Sequence, residues 1–141
     1  MPLTADADIA ALLAGTHSIA LVGASDRPDR AAHQVMAALL AHGYRVIPVN
    51  PALAGQAILG QTVVASLADI AEPIDMVDVF RRSEYVAEVV EDAIAAGAKS
   101  LWTQLGVIDH AAAARAQAAG LAVVMDRCPR IEIKRLGLPR R

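Results

Sequence analysis

The sequence predicts a doubly wound, three-layer α/β domain of Rossmann-like type, built on a mainly parallel five-stranded sheet. Three observations carry this. Five short runs are apolar throughout instead of alternating, as strands buried on both faces must be. Between them lie stretches whose apolar residues recur at three and four residue spacing, as on one face of a helix. Each helical stretch hands over to the next apolar run through a glycine, the pattern of repeated βαβ units.

In chain order, an opening helix over residues 4–14 packs outside the sheet, and the first strand follows at 19–22. Val35, Met36, Leu39 and Leu40 form a helical stripe that closes at Gly43. The second strand is 46–49, and Pro48, which lacks a ladder donor, is expected to end or bulge it. Residues 55–70 read as an excursion, a small hairpin around Ile58, Val63 and Val64 followed by a helical turn at 66–70. The third strand is 76–80. Ser83 is the expected N-cap of a helix striped by Val86, Val89, Val90 and Ile94 and closed by Gly97. A strand at 100–102, an alanine-rich helix from Asp109 to Gly120 and a last strand at 121–125 complete the pattern.

With 141 residues, 55% apolar and only 20% charged, the chain suits one domain over 1–141 with its core at about 16–135, and excludes intrinsic disorder. Aromatics are 3%, which argues against a stacking platform for single-stranded nucleic acid. A net charge of −2 leaves no electrostatic footprint for nucleic acid or an anionic membrane. Charge is uneven, however: from Arg127 onward six cations face one acid, Glu132, which reads as a solvated basic tail or one that meets an anion. The single cysteine, Cys128, has no internal disulfide partner, and no metal-ligand spacing or long apolar run occurs. A reduced, cytoplasmic protein without membrane or nucleic-acid partners is expected.

In such a sheet, ligands bind beyond the carboxyl ends of the strands. That singles out residues 23–30, Asn50 and Pro51, Arg81 and Arg82, 103–106 and 126–128. The turn Gly23-Ala24-Ser25 joins a buried strand to a helix and so offers backbone N–H groups to a phosphate. It is not the G-x-G-x-x-G dinucleotide fingerprint: Ser25 and Pro28 stand where further glycines belong, and residues 44–50 hold no acid for a ribose. A small NAD(P)-dependent oxidoreductase therefore rests only on the fold and the Gly23 turn. Arg27, Arg30, Arg81 and Arg82 converge on one sheet edge, where their guanidinium groups suit a polyphosphate. Asp78, inside an apolar strand, is expected to accept hydrogen bonds from loop N–H groups or an arginine. His17, His33, His42 and His110 have no catalytic partner at a telling spacing, and Cys128 reads as structural rather than nucleophilic.

Six ordered blocks, IALVGAS at 19–25, GYRVIPVNP at 43–51, SLADI at 66–70, VDVFRR at 77–82, WTQLGV at 102–107 and VVMDRCP at 123–129, closely resemble the stand-alone CoA-binding domain proteins. That family is similar to the N-terminal domain of the α subunit of succinyl-CoA synthetase and of ADP-forming acyl-CoA synthetases. The resemblance spans about residues 16–135 and implies coenzyme A, or an acyl-CoA, at the strand ends. Carried over, Gly23, Ala24 and Ser25 would meet the phosphate and adenosine part, and Arg30 would lie near the phosphates. Val49, Asn50 and Pro51 would flank the adenine nucleotide, while Phe80, Arg81, Thr103, Gln104 and Gly106 would line the path of the pantetheine arm. The synthetases add a domain with a phosphorylated histidine and a partner subunit, neither of which is expected here. A CoA-binding module without catalysis of its own is therefore the expectation, as a monomer or homodimer, with the CoA-binding subunit of a multi-protein acyl-CoA synthetase as the alternative.

Overall fold

The computed structural model describes all residues, Met1–Arg141. Five strands form the main sheet: β1 (Ser18–Val22), β2 (Arg45–Val49), β5 (Met76–Val79), β6 (Ser100–Thr103) and β7 (Ala122–Val124). They run parallel in the order β2-β1-β5-β6-β7. The chain builds outward from β1 to β2 and then returns to the other side of β1, so the order reverses between β1 and β5. The expected excursion is a two-stranded antiparallel hairpin, β3 (Ala57–Ile58) with β4 (Gln61–Thr62), followed by a short 3-10 turn at Leu67–Asp69.

Side-chain alternation along fully buried strands feeds two cores. On one face Ile19, Leu21, Val46, Met76 and Trp102 pack under α1 (Asp6–Gly15), α2 (Ala31–His42) and α5 (Pro129–Arg135). On the other, Ala20, Val77, Val79, Leu101 and Val123 pack under α3 (Val86–Ala95) and α4 (His110–Ala118). These are the three predicted layers. Gly43 closes α2 in the left-handed conformation, as expected, and Asp109 caps α4 by accepting from the Ala112 N–H at 3.0 Å.

Four local expectations are corrected. Pro48 does not end β2: the strand runs through to Val49, and at this sheet edge Val64 takes up the outward groups, its N–H donating to the Pro48 carbonyl at 3.0 Å. Ser83 does not cap α3. It opens a 3-10 turn, and its hydroxyl instead accepts from the Ile108 N–H at 2.9 Å, tying two loops together. Residues 129–135 are no solvated tail. They fold as α5 against α1 and α2 because Glu132, 4% exposed, gathers Arg127 at 2.5 Å and Arg135 at 2.8 Å, while Arg135 also reaches Asp6. Asp78, finally, accepts nothing: it is fully buried and neither carboxyl oxygen has a partner.

Candidate functional site

The strand-order reversal brings the loops after β1 and β5 together. β1 gives way to Gly23, whose φ of +91° is open to glycine, and a Cβ there would stand 2.5 Å from the Phe80 carbonyl oxygen. Contrary to what the sequence suggested, the N–H groups of Gly23 and Ala24 are not open to a phosphate, because both donate to the Val49 carbonyl, at 3.0 and 3.2 Å. Asn50 locks the turn from the other side, with Nδ2 donating to the Ala24 carbonyl at 2.8 Å and Oδ1 accepting from the Ala52 N–H at 2.9 Å. Ser25 accepts from the Arg27 N–H at 3.1 Å. No side chain caps the N-terminus of α2, so its first N–H groups stay open beside this loop.

Three clefts meet at these strand ends. The first lies over the β1 loop, between Gly23, Ala24, Ser25, Arg30, Asn50 and Phe80. The second lies on the opposite side of Asn50, walled by Val49, Pro51, Ser66 and Arg81. The third, of about 1110 Å³, opens between α2 and α5, with Val35, Phe80, Gln104, Cys128, Ile131 and Lys134 among its walls. Phe80 and Ala31 are shared by the first and third clefts, Gly23 and Asn50 by the first and second, and Arg81 by the second and third, so the three form one continuous surface. Ten of the twelve residues singled out in the sequence line it. Thr103 and Gly106 are committed elsewhere: the Thr103 hydroxyl donates to the Val107 carbonyl at 2.7 Å, and the Gly106 N–H donates to Asp126 at 2.7 Å.

The charge here is selective. Of the four arginines expected at this edge, Arg27 pairs with Asp29 and Arg82 with Glu84, each at 3.5 Å on the surface. Arg30 and Arg81 have no carboxylate partner, and Arg81 lies over the Tyr85 ring at 4.1 Å. Arg130 and Lys134 on α5, both bordering the third cleft, are likewise unpaired. Four cations without an acid thus converge on one surface, an arrangement suited to phosphate oxygens.

Arg130, Ile131 and Lys134 on α5 and Gln34 and Val35 on α2 also wall the cleft, though the sequence does not single them out as site residues. Apolar spacing at Ile131 and Ile133 behind Pro129 was the signal available for α5. Beneath the site, burial pushes the Asp78 carboxyl well above the usual carboxylate range. No group of His, Cys and carboxylates is placed to hold a metal ion.

Comparison with known proteins now bears on this geometry. Residues 17–134 match the model of the CoA binding domain family. The chain belongs to the CoA binding domain family. The Bacillus subtilis (strain 168) protein YneT is 41% identical over 125 residues, covering 89% of this chain and 91% of that protein. A solved structure from Pyrococcus horikoshii OT3 superposes with a TM-score of 0.90 at 41% identity, covering 96% of each chain. The dinucleotide forming acetyl-coenzyme A synthetase 1 of Ca. Korarchaeum cryptofilum shares the fold, with a TM-score of 0.65 at 24% identity over 76% of this chain and 25% of its own. No helix of this CoA binding domain protein is long and apolar enough to cross a membrane.

Proposed function

We propose that the chain, acting as one unit over 1–141, binds coenzyme A or an acyl-CoA across the three joined clefts. The observation that carries this is the convergence of Arg30, Arg81, Arg130 and Lys134, all without carboxylate partners, on the strand ends of a CoA binding domain. The adenine nucleotide fits the β1 loop, between Gly23, Ala24 and Ser25 on one side and Val49, Asn50 and Pro51 on the other. Its phosphates meet Arg30 and the open N-terminus of α2. The pantetheine arm passes Phe80 and Arg81 into the cleft between α2 and α5, whose wall combines Val35, Val107 and Ile131 with the polar side chain of Gln104. A CoA ligand carries a diphosphate and a 3′-phosphate. It needs cations here and no ribose-holding acid, and β2 carries no acid.

Titration calorimetry with CoA, dephospho-CoA and NADH tests this. CoA should bind best, and loss of the 3′-phosphate should weaken it. Arg30→Ala and Arg81→Ala should each cost about tenfold or more, as expected for a charge-assisted contact to phosphate. Tighter binding of NADH than of CoA would overturn the reading in favour of a nicotinamide cofactor.

A further inference from the structure

The third cleft ends on the only cysteine of the chain. Cys128 stands between β7 and α5, is 6% exposed, and forms part of the cleft wall together with Phe80 and Gln104. Its backbone is held firmly: the Arg127 N–H donates to the Thr103 carbonyl at 3.1 Å, and the Trp102 indole N–H donates to the Arg127 carbonyl at 2.8 Å. The Gln104 side chain, 7% exposed, lines the same cleft with its Oε1 buried and without any hydrogen-bond partner. A buried amide oxygen left unpaired costs free energy that a ligand N–H would recover. The fold does not need that unsatisfied acceptor, and it therefore points to an occupant. An amide-bearing chain such as pantetheine supplies the N–H.

From this geometry we infer that Cys128 is a covalent docking point for the thiol end of the ligand, forming a mixed disulfide with coenzyme A. The inference rests on the proposed CoA site. The nucleotide held at the β1 loop directs its arm past the shared Phe80 and Ala31 walls, and the arm ends in a thiol within the cleft that Cys128 borders. The step is a thiol–disulfide exchange with CoA disulfide as the co-reactant. The Cys128 thiol gives its proton to solvent, and the thiolate attacks one sulfur of CoA disulfide. A bond forms between Sγ and that sulfur, the original S–S bond breaks, and one CoA leaves as thiolate. No other oxidant is consumed. A thiol so buried is poorly reachable from bulk solvent, so the reaction should be ligand-directed and selective for disulfides that carry the CoA nucleotide.

The test incubates the full chain with CoA disulfide or with glutathione disulfide at equal concentration and follows adduct formation by intact-protein mass spectrometry. Because the chain has one cysteine, any disulfide adduct is at Cys128. CoA disulfide should label at least about tenfold faster than glutathione disulfide, through the effective concentration that binding provides. Excess dephospho-CoA in its S-methyl form should slow the labelling, dithiothreitol should reverse it, and Cys128→Ser should abolish it. Equal or faster labelling by glutathione disulfide overturns the inference. So does absence of a CoA adduct in protein that binds CoA by calorimetry, a result that leaves the proposed function standing. Absence of CoA binding itself, with no labelling preference, overturns both.

Discussion

Gly23 is the residue on which the site turns, because it is where β1 must leave the sheet while passing the Phe80 carbonyl. A Cβ would collide with backbone, which cannot swing aside as a side chain can, and the left-handed φ adds strain of its own. Gly23→Ala is expected to destabilise the fold by about 2 kcal/mol or more in denaturant titration, and to spread the β1 and β5 loops. Asp78 makes a prediction of opposite character. Its folded-state carboxyl is held well above its ordinary value of 3.8, so the native protein keeps a proton that the unfolded chain releases. That contribution to stability is largest below 3.8 and falls as pH rises toward the folded value, by about 1.4 kcal/mol per pH unit. Asp78→Asn cannot ionise, so its stability relative to the parent should climb as pH is raised from about 4 toward neutrality. A difference that stays flat with pH would show that Asp78 is not held protonated.

At the scale of elements, α5 is the wall that composition concealed. Six cations in the last residues read as a tail seeking anions, yet Glu132 sits among them and organises two. Its carboxyl, hydrogen-bonded chiefly by Arg135 and also by Arg127, is held below the ordinary 4.5, against the cost of burial. Here stability is present above 4.5 and is lost as pH falls through the folded value. Glu132→Gln should cost about 1–2 kcal/mol near neutrality, less than a fully buried pair because both arginines are partly exposed, and this cost should shrink as pH falls below 4.5 toward the folded value. Hydrogen exchange in α5 should quicken in the variant before that in α3 or α4. The strands were legible because a parallel sheet demands unbroken apolar runs, and α2 and α4 because glycines and Asp109 punctuate them. What escaped the sequence depended on partners distant along the chain. Val64 sustains β2 past Pro48, Ile108 takes the Ser83 hydroxyl away from a capping role, and Asp6 and Glu132 draw Arg135 into a helix end.

At the scale of the whole molecule, the order β2-β1-β5-β6-β7 decides where a ligand can go, since it alone sets the β1 and β5 loops side by side. Ten of the lining residues were legible in the sequence, but not which arginines are free. That distinction needed the surface contacts of Arg27 with Asp29 and of Arg82 with Glu84, while Arg30 and Arg81 have no such carboxylate. CoA should accordingly raise the thermal midpoint in a concentration-dependent way, and the gain should diminish with added salt as the exposed Arg30, Arg130 and Lys134 are screened. The most direct test of the account is a titration of labelled protein with CoA followed by backbone amide NMR. The amides of Gly23, Ala24, Asn50, Arg81 and Gln104 should shift together along one binding curve, while Gly97 and Gly120, at the opposite ends of the strands, stay still. Shifts confined to that opposite end, or none at saturating CoA, would contradict it.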